Sequence, residues 1–200
     1  MNWPGLVDRA PTVDREAITT ALASHRDDRE PATKDQTPEG LTKPREPEPT
    51  RVVADADVLA ADLLVGGDAR ATLEVLWQHA WTTLVASDDL LADTEAVIKT
   101  VADSETAADW RAAIEAWRAP VVQPPGDHPG LASAYRGGAM HLLSFDEELA
   151  GSQAGAALNQ RLSVSVRSPA AFARLFDPES LYKTVGDDPY PGPDREPRNG

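Results

Sequence analysis

The sequence contains no cysteine, which excludes a disulfide scaffold, a thiolate zinc site and a cysteine nucleophile. No apolar run approaches the roughly 20 residues that span a bilayer. The opening Met1-Asn2-Trp3-Pro4-Gly5 lacks the basic-then-apolar order of a secretion signal. A soluble, cytoplasmic protein with no membrane partner is therefore expected. There is no glycine-rich phosphate loop either; Gly66-Gly67 reads only as a turn. Basic charge of the kind that holds nucleic acid is scarce, since the 200 residues carry a formal net charge of −14.

What the chain has in excess is acid. Asp (20) outnumbers Glu (13), and Lys occurs 4 times against 15 Arg. Such a surface stays soluble in molar salt, where the Debye length falls to about 3 Å and self-repulsion is screened. The balance predicts a halophilic, archaeal source. Net charge then says little about partners, and function has to be read from local clusters.

Seven of the 17 prolines lie in the first 50 residues and four more between Pro189 and Pro197. Arg26 to Arg51 is charged and Pro-rich, with almost no large apolar residue to offset ordering entropy, and reads as a disordered linker. Before it, Asp14 can cap one short, weakly docking helix bearing Ile18, Ala21 and Leu22. The reading is thus a largely disordered acidic leader over 1–50, a folded unit over 51–182, and a disordered tail over 183–200.

Inside the folded unit, strand candidates alternate with helical patterns. Arg51–Ala54, Trp81–Val85, Val121–Val122, His141–Leu143 and Ser163–Val166 are the strands. Between them, apolar residues recur at helical spacing, as in Leu73, Leu76, Trp77 and Ala80, or Trp110, Ile114 and Trp117. Ser87 and Asp103 or Ser104 are good N-caps, and Pro169 opens a final helix bearing Phe172 and Phe176. Strands separated by helices predict an α/β fold, three layers α/β/α around a parallel sheet of about five strands.

Ligands of such sheets collect at the carboxyl ends of the strands. Asp55 and Asp57 follow the first strand, Asp127 opens the helix after the third, and Asp146 follows the fourth. Asp93 lies two turns into the helix after the second. Carboxylates about 4 Å apart repel by roughly 4 kcal/mol per pair at an effective dielectric near 20, so a converging set needs protons or cations. Oxygen-only ligation suits Mg²⁺ or Mn²⁺, ions that serve phosphoryl chemistry. In so acidic a chain, some carboxylates also reach strand ends by chance. The rest of the chain suggests less: His128 reads as an exposed loop histidine, Trp77, Trp81, Trp110 and Trp117 as packing residues, and Arg70, Arg136, Arg161, Arg167 and Arg174 as scattered surface charge.

Val52-Val53-Ala54-Asp55-Ala56-Asp57-Val58-Leu59 resembles the first motif of PIN (PilT N-terminus-like) domains, an apolar strand followed by Asp-x-Asn-x-Leu. Ser87-Asp88-Asp89-Leu90-Leu91-Ala92-Asp93 resembles the second, in which the acid is usually Glu. Asp127 with its small-residue helix resembles the third. Gly138-Ala139, with Ser144-Phe145-Asp146 at the far end of the strand, resembles the fourth, and Pro169-Ala170-Ala171-Phe172 the closing helix. The likeness runs in order from about Arg51 to Phe176.

It implies a Mg²⁺- or Mn²⁺-dependent endoribonuclease acting on RNA, with Asp55, Asp93, Asp127 and Asp146 as catalytic, metal-binding acids. Ser144 and Asp57 would support them, Asp57 standing where the family has a neutral amide. An antitoxin or a second copy would be a further partner. The shorter Asp93 and the charged Asp57 keep open a PIN-like RNA- or protein-binding module without catalysis. Asp55-Ala56-Asp57 also matches the start of haloacid-dehalogenase-like phosphatases, but Val58-Leu59 fits that pattern poorly. Lys99 is the only lysine between Lys43 and Lys183 to serve as that family's catalytic one.

Overall fold

In a computed structural model the chain is described over residues 3–28, 38–150 and 163–198. Five short, largely apolar segments form the strands β1 (Glu48–Ala54), β2 (Thr83–Ser87), β3 (Ala119–Val121), β4 (Ala139–Leu143) and β5 (Ser165–Arg167). They make one parallel sheet in the order β3-β2-β1-β4-β5. The chain leaves β1 toward β2 and β3, then returns to place β4 on the other side of β1. The topological switch point is therefore the crevice between the carboxyl ends of β1 and β4, where sheets of this kind hold ligands.

The central strands bury both faces: Val52, Val53 and Ala54 of β1 and Leu142 and Leu143 of β4 have almost no exposed surface. Helix α7 (Pro129–Gly137) packs across β1 to β4, and Gly137 permits that approach, because a Cβ there would meet Val85 at 2.3 Å. A larger helical layer holds α3 (Ala56–Leu64), α4 (Gly67–Trp77), α5 (Asp88–Val101) and α6 (Ser104–Glu115). Ser87 caps α5 by accepting from the Leu90 amide at 3.1 Å, and Asp103 caps α6 by accepting from Thr106 at 2.7 Å. Leu90, Val97 and Ile98 of α5 and Trp110 and Ile114 of α6 meet in the core, as their spacing predicts. This is the three-layer α/β/α architecture read from the sequence.

Both ends of the chain depart from that reading. The stretch expected to hold one weakly docked helix holds two docked ones, α1 (Trp3–Arg9) and α2 (Arg15–Asp27). Trp3, Leu6, Ile18 and Leu22 join the core, burying enough apolar surface to hold a segment of otherwise polar composition. Residues 29–37 of the expected linker lie outside the described residues.

The tail is ordered over 183–198 rather than disordered, through specific contacts that its composition hides. Trp77 Nε1 donates to the Glu196 carbonyl (2.9 Å), and His79 Nε2 meets the Tyr190 hydroxyl (2.6 Å). Arg198, 6% exposed, reaches Asp62 of α3 and Glu74 of α4. The folded unit thus extends past 51–182 at both ends. The last helices are α8 (Glu147–Ala150), α9 (Pro169–Leu175) and α10 (Pro178–Tyr182).

Candidate carboxylate centre

Asp55 is the residue at which β1 becomes α3. Its amide donates to the Leu143 carbonyl at 2.8 Å, which ties the ends of β1 and β4 together. Its Oδ1 accepts from the Ala56 amide at 2.9 Å, an N-cap arrangement that aims the carboxylate into the switch-point crevice. The side chain is buried, and α7 approaches so closely that a Cβ at Gly130 would lie 2.9 Å from Oδ1.

Asp57, in the first turn of α3, is buried beside it. Its Oδ2 accepts from the Phe145 amide (2.8 Å) and faces the Ser144 hydroxyl (3.2 Å). That hydroxyl also stands 3.4 Å from Asp55 Oδ2 and accepts from the Asp146 amide at 3.0 Å. With a single proton to share, Ser144 bridges the two aspartates but satisfies only one at a time. Asp57 Oδ1 is buried without a hydrogen-bond partner. Desolvation, then the charge of Asp55, pushes the Asp57 carboxyl up to about 7, against lowering by the Phe145, Val58 and Ser144 hydrogen bonds.

Asp93 comes from the buried face of α5, in line with Leu90 and Val97, and is fully buried. Its Oδ2 accepts from Arg26 Nε at 3.0 Å, and His25 Nε2 lies 3.6 Å from Oδ1. The other end of the Arg26 guanidinium, Nη2, stands 3.7 Å from Asp55 Oδ1 and is buried without a hydrogen bond. One guanidinium therefore lies between the first and second of the expected acids. Helix α2 delivers it, since Ile18, Leu22 and Arg26 recur every four residues on the face turned to the core. His128, before α7, is half-buried with Nε2 3.8 Å from Asp55 Oδ2, and both its ring nitrogens lack hydrogen-bond partners. Its burial against Asp55 differs from the exposed loop histidine that the sequence predicts.

The remaining expected acids are more exposed. Asp127 is exposed in the bend after Pro124-Pro125-Gly126, beyond the end of β3. Asp146 is half-buried, and its Oδ1 accepts from the Glu148 (2.8 Å) and Leu149 (3.3 Å) amides, committing that oxygen to the start of α8. Among the described residues, no three Asp, Glu or His side chains lie close enough together to hold a metal ion as they stand. The acids converge pairwise: Asp55 with Asp57 through Ser144, and Asp55 with Asp93 through Arg26. Sequence reasoning missed Arg26 and His25. The signal for Arg26 was its place in register with Ile18 and Leu22, masked by the charged run that follows it.

Fold and centre together define a parallel α/β protein with buried carboxylates at its topological switch point. The chain belongs to a family of unknown function, DUF7384, whose model matches residues 46–198. No curated protein and no solved structure matches it.

Proposed function

We propose that the protein is a divalent-cation-dependent endoribonuclease of PIN type, in which the switch-point carboxylates hold Mg²⁺ or Mn²⁺ next to an RNA phosphodiester. The observation that carries this reading is the position of Arg26. Two buried carboxylates from separate elements, Asp55 and Asp93, face one positive group from opposite sides, at 3.7 and 3.0 Å. The fold builds a place that needs a cation. The unpartnered Asp57 Oδ1 offers a further buried oxygen beside that place. This donor set is all oxygen, as Mg²⁺ and Mn²⁺ prefer, so the residues present fit such an ion.

Asp55 and Asp93 would be its principal ligands, with Asp57 adjoining and Ser144 fixing the first pair. When bound, the ion would supply Lewis acidity toward water and the leaving oxygen. His128, with unpaired ring nitrogens beside Asp55, is the chain's own group for positioning a phosphate oxygen. Arg26 and the ion would compete for one place between Asp55 and Asp93. Asp127 and Asp146 are not assigned to the ion.

Mn²⁺ titration followed by electron paramagnetic resonance, with cleavage of labelled single-stranded RNA in molar KCl, tests this. Cleavage should require Mn²⁺ and fall by about 100-fold or more in Asp55→Asn and Asp93→Asn, the loss expected for direct ligands. Asp127→Asn should change Mn²⁺ binding by less than about twofold, as an exposed residue. Cleavage that survives Asp55→Asn overturns the reading. The second reading, a binding module without catalysis, is favoured by the neutralisation that Arg26 already provides. RNA bound but uncut by both the wild type and Arg26→Ala would establish it.

A further inference from the structure

A cleft of about 330 Å³ lies between β4, the edge strand β5 and the helices α9 and α10. Its walls are mainly apolar, formed by Phe172, Leu175, Phe176 and Leu181, with His141 and Arg167 at its polar end. Leu175 is 61% exposed, a large apolar side chain in water without a covering partner among the described residues.

Some arginines of this chain, such as Arg70 and Arg136, reach only backbone carbonyls, whereas Arg26, Arg51, Arg111, Arg118 and Arg198 pair with carboxylates. Arg167 pairs with none among the described residues, although the protein carries a net charge of −14. Its Nε is buried without a hydrogen-bond partner, and so is His141 Nδ1.

The other polar groups of the cleft are already engaged. Asp177 Oδ1 and Oδ2 accept from the Ser180 amide (3.2 Å) and hydroxyl (2.6 Å), and the Thr184 hydroxyl donates to the Leu181 carbonyl at 2.7 Å. Burial, then the nearby Arg167 charge, pushes the His141 imidazole below its usual range, so it is neutral at neutral pH and can offer one N–H. The unmet demand of the cleft is thus for an acceptor bearing negative charge, beside an apolar body. A planar carboxylate matches a guanidinium fork, and the aromatic walls suit a ring. Cavities of this size and lining are ordinary small-molecule sites.

We propose that this cleft binds a small organic carboxylate with an aromatic or branched apolar body. The carboxylate sits on Arg167 and His141, and the body packs against Phe172, Phe176 and Leu175. The proposal is independent of the nuclease reading, because none of its residues belongs to the carboxylate centre.

The test uses the full chain in molar KCl, with phenylacetate as the probe and calorimetry and amide NMR as readouts. Saturable binding with a dissociation constant of about 1 mM or tighter is expected for a ligand of this size. Shifts should concentrate on residues 172–184 and on β5. Phenylacetamide, which keeps the shape and lacks the charge, should bind at least about tenfold more weakly, as should phenylacetate to Arg167→Gln. Leu175→Asp, an exposed change that leaves the core untouched, should weaken binding at least about threefold. Spectra unchanged outside the cleft show that both variants fold. Four results overturn the proposal: no saturable binding, equal binding of acid and amide, equally tight binding of inorganic phosphate, or cleft signals that shift with protein concentration because a second copy fills the site.

Discussion

Three buried aspartates of this protein are neutralised by two arginines from opposite ends of the chain, and the two arrangements are built differently. Asp62 is clasped by Arg198 in a two-pronged pair, 2.8 and 3.2 Å, with Glu74 taking the Nε at 3.1 Å. The guanidinium lies over the rings of Trp3 (4.4 Å) and Trp117 (5.2 Å), and only 2% of its side chain is exposed. Asp93 and Asp55 share Arg26 instead, whose side chain is 29% exposed. It makes one hydrogen bond and one long contact, and leaves Nη2 unsatisfied. The first arrangement satisfies its groups and closes over them. The second is under-satisfied and open to water at one side. A structural pair removes every reason to exchange its partner, whereas a working site keeps one.

That contrast can be broken most forcefully at Arg198. Arg198→Ala leaves Asp62 charged and buried and should cost roughly 3–5 kcal/mol, read from urea unfolding. A loss below about 1 kcal/mol would put the pair among ordinary surface contacts. Arg26→Ala should cost less, at most about 2 kcal/mol, given partial exposure and a single hydrogen bond. It should also tighten Mn²⁺ binding by about tenfold or more by removing a like charge from the same place. Unchanged or weaker Mn²⁺ binding would make Arg26 a structural residue like Arg198.

The third effect concerns Asp57. With its folded-state carboxyl near 7 against 3.8 as the ordinary value, the folded chain keeps a proton that the unfolded chain releases between those limits. Stability contributed by this group is complete below the lower limit and is lost as pH rises to the upper one. In metal-free protein, Asp57→Asn should flatten that decline and raise the melting temperature at and above neutral pH. A slope identical to wild type would show that Asp57 is ionised throughout.

Much of the architecture was legible because it rests on short-range signals. Val52-Val53-Ala54 ending at Asp55, the cap at Ser87 and the spacing of Trp110 and Ile114 each act within one element, and the five strands fall close to their expected places. Strand ends also pointed to Asp55 and Asp57, since a strand's carboxyl end in a parallel sheet has one destination, and the family resemblance pointed to Ser144. Asp127 misled because the Pro-Pro-Gly turn carries it past the strand end into solvent. Arg26, Arg198 and Tyr190 were illegible for a different reason. Each lies in polar, Pro-rich surroundings typical of linkers, and their partners, Asp93, Asp62 and His79, are far away in sequence. Only the assembled fold brings such charges and rings together, so composition alone reads them as unattached.

The carboxylates of the centre lie within the stretch that defines the family, 46–198, while the arginine that quiets them lies before it. Acid and counter-charge therefore come from different stretches of one chain, the second held in place by Ile18 and Leu22 of its own helix in the shared core. A protein that kept the first and replaced the second would carry the same pocket with a different guard, or stand open with none.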